Sequence, residues 1–168
     1  MSPTPAPCLD WHLAELEDGP LAWFRDWPDP AVPPVAAGVY TVWMEDILLY
    51  AGMAGRGLTQ ERAAHTVALG GKPTGLVTRL ASHASGRRSG DQFCVYVCDR
   101  FVVPDLTADD LAELRHGARL LDGRTRAFVR DRLAYRFALT PDGSSAHAVE
   151  AAVRRGAWAA GPPLINPL

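Results

Sequence analysis

The sequence predicts an α/β chain of the α+β type, in which a small, mostly antiparallel sheet of three to four strands is flanked by helices. Three observations predict it. Gly38-Val39-Tyr40-Thr41-Val42-Trp43 and Ile47-Leu48-Leu49-Tyr50-Ala51 are runs rich in β-branched and aromatic residues on either side of the polar step Met44-Glu45-Asp46, the pattern of a β-hairpin. Two later runs, residues 92–98 and 135–139, are also β-prone. The stretches around them carry caps and apolar spacings of helical period.

The bulk properties narrow the class. A chain of 168 residues can bury the core of one domain, and 48% hydrophobic against 21% charged residues is ordinary globular composition. No apolar run reaches the ~18 residues that would span a bilayer, so no membrane association is expected. The opening MSPTPAPCLD lacks the charged start and apolar middle of a secretory signal, which points to the cytoplasm. Cys8, Cys94 and Cys98 are odd in number, which fits reduced thiols better than a disulfide framework.

Charge is more informative by position than in total. Residues 1–52 hold one basic side chain, Arg25, against eight acidic ones, whereas residues 53–140 hold fourteen basic against nine acidic. A polyanion can sit on such a basic middle although the net charge is −2. Arginines that merely solvate helices would give the same distribution.

In chain order, residues 1–9 are proline-rich and are expected to be loose. Asp10 can cap a short helix built on Trp11, Leu13 and Leu16. Residues 19–37 hold Pro20, Pro28, Pro30, Pro33 and Pro34 around Trp23, Phe24 and Trp27, so they form an irregular strap packed by its aromatics. Residues 1–35 are thus an extension packed on a domain of residues 36–168. After the hairpin, Met53-Ala54-Gly55-Arg56-Gly57 makes a glycine-rich turn without the spacing of a nucleotide-binding loop. A helical stretch at 60–68 and a Gly70-Gly71-Lys72-Pro73 break follow.

The next helix, 75–86, stacks Leu76 and Leu80 on one face and Arg79 and His83, four apart, on another; Gly86 stops it. Residues 92–98 are expected as a buried third strand, with Cys94 and Cys98 on one face as core packing; no zinc spacing links them to His65 or His116. Thr107 caps one helix, and another runs from Thr125 to about residue 133. The arginines of that second helix can either touch phosphates or pair with Asp122 and Asp131. A fourth strand at 135–139 leads through a turn to Ser144-Ser145, which cap a last helix at 146–155 whose only carboxylate is Glu150. By itself a glutamate among alanines is a solvent-facing helix former.

Two tripeptides, Gly38-Val39-Tyr40 and Tyr50-Ala51-Gly52, followed by Arg79-Leu80-Ala81-Ser82-His83, resemble the signatures of the GIY-YIG nucleases. The likeness covers residues 36–168. Nine residues separate the half-motifs, slightly fewer than is usual, and residues 53–74 form an insertion of the sort some restriction-enzyme members carry.

The resemblance implies a divalent-metal-dependent endonuclease acting on nucleic acid, with DNA the expected substrate. It implies Arg79 on the scissile phosphate, Glu150 as the ligand of Mg²⁺ or Mn²⁺, Tyr40 against the attacking water with His83 assisting, Tyr50 positioning by hydrogen bond, and Asn166 in the tail segment that closes the site. Side-chain chemistry permits these roles: a forked, permanent cation suits phosphate, and a hard cation suits a carboxylate and waters. A tyrosine of ordinary pKa about 10 serves as a base at neutral pH only if its surroundings lower that value strongly. Arg56, Lys72, Arg87 and Arg88 are the expected contacts to the nucleic-acid backbone, and a twofold homodimer would suit double-strand cutting. The alternative is a module of the same fold that binds nucleic acid or a protein without cutting.

Overall fold

The computed structural model describes residues 9–118 and 120–166. In chain order these form α1 (Leu9–Asp18), β1 (Ala22–Trp23) and a 3₁₀ turn (Phe24–Asp26), then β2 (Val35–Ala36), β3 (Gly38–Met44), β4 (Ile47–Ala54), α2 (Gln60–Ala68), β5 (Thr74–Gly75) and α3 (Leu76–Ser85). They continue with α4 (Gln92–Val97), which runs on through a π-helical turn (Cys98–Val102) and a 3₁₀ turn (Val103–Asp105), and end with α5 (Ala108–Arg115), α6 (Leu120–Arg132), β6 (Ala134–Leu139) and α7 (Gly143–Arg154). The fold is α+β. A four-stranded antiparallel sheet has the order β1-β6-β3-β4, and β2 and β5 form a separate parallel pair.

The sheet is covered on both faces because nearly every residue of β3 is buried. On one side Tyr40, Val42 and Leu49 join Leu76 and Leu80 of α3, Phe93 and Val97 of α4, and Val129 of α6. On the other, Val39, Trp43, Leu48 and Ala51 meet Leu16 of α1 and Val149 and Val153 of α7. The register between β3 and β4 slips after Val42, so that Tyr50 faces Val42 while Leu48 faces Trp43. Leu49 is therefore the extra residue of a bulge, and both Leu49 and Tyr50 turn to the α3 side. That bulge brings the second tyrosine to the same face as the first.

The hairpin lies where its composition predicts, and β6 contains the expected fourth strand. Residues 92–98 are a correction: they are helical, not a strand. Asp91 accepts hydrogen bonds from the backbone N–H groups of Phe93 (3.1 Å) and Cys94 (3.4 Å), which caps a helix whose buried residues, Phe93, Cys94, Val97, Cys98 and Val102, recur at helical spacing. Packing of that stripe against α3 and α6 overrides the β propensity of Val95, Tyr96 and Val97. The last helix is capped by Asp142, whose carboxylate accepts from Ser145 N at 2.7 Å, rather than by Ser144 and Ser145. The strap is packed through Phe24 and Trp27, and its β1 adds an edge strand to β6. No helix among the described residues is long and apolar enough to cross a membrane. Cys94 and Cys98 are free and buried; Cys8 lies outside the described residues.

Candidate active site

The site grows from one close approach inside the hairpin. Tyr40 pairs across β3 and β4 with Gly52, and a Cβ on Gly52 would collide with the Tyr40 hydroxyl and ring. Glycine at that position is what lets the phenol lie across the neighbouring strand. Gly38 acts alike for α3, since a Cβ there would strike Leu76. The first turn of α3 can then sit against the hairpin, which carries Arg79 and His83 toward Tyr40 and Tyr50.

A buried chain of hydrogen bonds follows. The Tyr40 hydroxyl lies 2.7 Å from His83 Nε2, and His83 Nδ1 lies 2.7 Å from Asp91 Oδ2. The His83 and Asp91 side chains are each 1% exposed. Asp91 also accepts from Ser82 Oγ at 2.6 Å, and its other oxygen caps α4. Burial alone would raise the Asp91 pKa, but the hydrogen bonds from His83, Ser82 and the Cys94 amide outweigh it and hold the carboxyl below its ordinary value. An ionised carboxylate only accepts, so Nδ1 of His83 carries the ring proton and Nε2 accepts from Tyr40.

The protonation pattern is uniform. Burial lowers the His83 pKa further than Asp91 raises it, which keeps the imidazole neutral. Burial, and next the neighbouring Tyr50, push the Tyr40 pKa well above its ordinary value, while Arg79 pulls the other way without prevailing. Burial and then Glu150 raise that of Tyr50. The surroundings thus shift Tyr40 in the direction opposite to the lowering that a free phenolate base requires. Tyr40 is a neutral phenol aimed at a neutral imidazole.

This chain of groups opens into a cleft of about 350 Å³ lined by Tyr40, Tyr50, Arg79, His83, Asp91 and Glu150 among others. Glu150 reaches it from the opposite face of the sheet, because α7 packs along the outer strand β4. The start of α7 is fixed there by Gly143, where a Cβ would strike the carbonyls of Gly55 and Arg56, and by a hydrogen bond from Gly143 N to Leu58 O at 3.2 Å. The Glu150 side chain is 15% exposed and has His147 at 3.7 Å on its own helix. Arg79 is exposed, and among the described residues no carboxylate lies within ion-pair distance of it.

Five of the six residues singled out for chemistry, Tyr40, Tyr50, Arg79, His83 and Glu150, therefore share the cleft. Asn166 does not. Its amide is used twice by one residue of the outer strand, Oδ1 accepting from Ala51 N at 2.7 Å and Nδ2 donating to Ala51 O at 2.9 Å. Leu164 N and Ile165 N bond Leu48 O and Leu49 O beside it, so Asn166 is the end of a clasp along the free edge of β4. Of the expected backbone contacts, Arg56 lines the cleft, whereas Lys72, Arg87 and Arg88 do not. Arg88 is tied to Asp122 at 2.8 Å. Three of the four arginines of α6 are also committed internally: Arg124 pairs with Asp110, and Arg126 and Arg130 donate to the carbonyls of Ser85 (2.8 Å) and Ala84 (3.2 Å) at the end of α3.

Asp91 is the functional residue that sequence reasoning missed. Its signal was an acidic residue just ahead of Phe93, Cys94, Val97 and Cys98, which is an N-cap once that stripe is read with helical period.

As a metal ligand Glu150 fits: a carboxylate of hard oxygens at the wall of a cleft suits Mg²⁺ or Mn²⁺ completed by waters. The ligand atoms of His83, Asp91 and Cys94 also lie within 4.8 Å of one another. Their capacity is already spent on hydrogen bonds, and burial raises the Cys94 thiol far above its ordinary pKa, so it stays protonated and donates to His83 O at 3.6 Å. Neither a family model, nor a curated protein, nor a solved structure matches the chain.

Proposed function

We propose that the chain is a divalent-metal-dependent endonuclease of the GIY-YIG type that hydrolyses phosphodiester bonds of DNA. The observation that carries this reading is the Tyr40–His83–Asp91 chain of hydrogen bonds ending in a cleft that it shares with Arg79 and Glu150.

Because the Tyr40 pKa is raised and that of His83 lowered, Tyr40 acts as a relay and not as a standing phenolate. As the attacking water gives its proton to the Tyr40 oxygen, the Tyr40 hydroxyl proton passes over 2.7 Å to His83 Nε2. The phenol is neutral before and after. The positive charge that arrives rests on the imidazole, where Asp91 stabilises it. Arg79, which has no carboxylate within ion-pair distance among the described residues, holds the non-bridging oxygens as negative charge builds on them. Tyr50 limits where the phosphate and water can sit, and Glu150 is the residue that would hold the cation. When bound, that cation supplies positive charge to the reacting oxygens and orients the water.

Plasmid nicking with Mg²⁺, with Mn²⁺ and with a chelator tests the reading. Wild type cuts only with metal, and Glu150→Gln, which keeps the shape of the side chain, loses at least roughly a hundredfold in rate while its far-ultraviolet circular dichroism is unchanged. Equal cutting by Glu150→Gln removes Glu150 from the mechanism; no cutting by wild type with either metal removes the nuclease reading.

A further inference from the structure

Beside the cleft lies a second and larger groove of about 590 Å³, with one wall from the 53–74 insertion and the other from the first turns of α3. Arg56 and Arg79 border both spaces, so the groove adjoins the cleft. Its third cation is Arg62 on α2. Among the described residues no carboxylate lines it. This contrasts with Arg88 and Arg124 outside the groove, each of which is paired with an aspartate.

Arg62 is held ready for an anion. Thr59 caps α2 by accepting from Arg62 N at 3.3 Å, and the Arg62 guanidinium donates through one nitrogen to Gly57 O at 3.0 Å, which fixes its direction and leaves its remaining donors open. The hydroxyls of Thr66 and Thr78 turn back to the carbonyls of Arg62 and Gly75 and that of Ser82 donates to Asp91, so among the described side chains of the groove the donors left for a ligand are those of the guanidinium groups. Helix α2 has no buried residue. What it offers is a polar face, since it adds little to the core.

We propose that this groove holds the phosphodiester backbone of DNA on one side of the scissile bond, with Arg62 contacting a phosphate adjacent to the one held by Arg79. The proposal rests on the nuclease reading for its substrate. Guanidinium groups in a row without acids bind phosphate in any sequence, so the groove gives affinity and register, not base specificity.

The test is binding of the full chain to a short labelled DNA duplex in chelator, where no cutting occurs, as a function of salt. Neutralising one phosphate contact reduces the slope of log K against log salt by about 0.9, so the gap between wild type and Arg62→Gln narrows roughly threefold between about 50 and about 200 mM salt. Arg62→Lys keeps the charge and restores the slope. Arg115→Gln, an exposed arginine of α5 outside the groove, leaves it unchanged. A wild-type slope in Arg62→Gln, or an equal drop in Arg115→Gln, overturns the proposal while metal-dependent nicking can still stand. The expected slopes without nicking under any metal leave the groove as a DNA site and overturn the nuclease reading instead. Tighter binding of single-stranded RNA than of the duplex overturns the assignment to DNA, and no salt-dependent binding at all overturns both.

Discussion

At the scale of single residues, Asp91 does two things with two oxygens: Oδ1 caps α4 and Oδ2 sets the tautomer of His83. Asp91→Asn separates these roles. The amide oxygen keeps the cap, since asparagine is a good N-cap, while the amide nitrogen takes the place of Oδ2. That nitrogen donates to Nδ1, the ring proton moves to Nε2, and Tyr40 loses its acceptor. Nicking by Asp91→Asn is therefore expected to fall roughly 10²–10⁴-fold. The acid limb of the residual pH–rate profile moves to lower pH, because Asp91 is the group that raises the His83 pKa against burial. A rate within a few-fold of wild type, with an unmoved acid limb, would show that the tautomer does not matter. Tyr40, Tyr50, Arg79 and His83 were legible in the sequence because the two tripeptides and the Arg79-to-His83 run that carry the resemblance are each contained within a single element. Asp91 was not, since its role depends on whether the residues after it are helix or strand.

At the scale of elements, the segments that read correctly are those in which propensity and burial agree. β3 is β-branched and aromatic and is buried on both faces, so composition and environment give one answer. Residues 92–98 have the same composition but are packed as one helical stripe, and there composition misleads. The tail is a third case. Asn166 bonds the edge of β4 as an added strand would, and the clasp covers backbone groups that an open edge leaves to other chains. Nothing local in Ile165-Asn166 indicates which strand it meets. Asn166→Ala removes both amide bonds and takes from the Ala51 N–H and C=O the partners they have here, with an expected loss of about 1–3 kcal/mol in urea unfolding. Since the Asn166 amide is turned to Ala51 and not to the cleft, nicking measured well below the melting temperature stays near the wild-type rate. A large drop in rate without a drop in stability would return Asn166 to the chemistry.

At the scale of the whole molecule, the site lies where the two faces of the sheet are joined around its outer strand. α3 and α4 bring Arg79, His83 and Asp91 from one face, and α7 brings Glu150 from the other. Because His83 and Asp91 are enclosed between the sheet and two helices, their protonation is linked to folding itself. The His83 pKa is lowered in the fold, so on acidification the unfolded chain takes up a proton at about pH 6.5, before the folded chain does. This contribution to stability is complete above about pH 6.5 and is lost as pH falls toward the lower folded value, at up to about 1.4 kcal/mol per pH unit. Asp91, also lowered, adds a second loss only below about pH 4. Urea unfolding of wild type should accordingly show lower stability at about pH 5.5 than at about pH 7.5. His83→Gln, less stable at both, should show a smaller difference because it has no imidazole to protonate. An undiminished difference in His83→Gln would assign the acid sensitivity to other groups and leave the neutral state of His83, on which the proposed proton relay depends, without thermodynamic support.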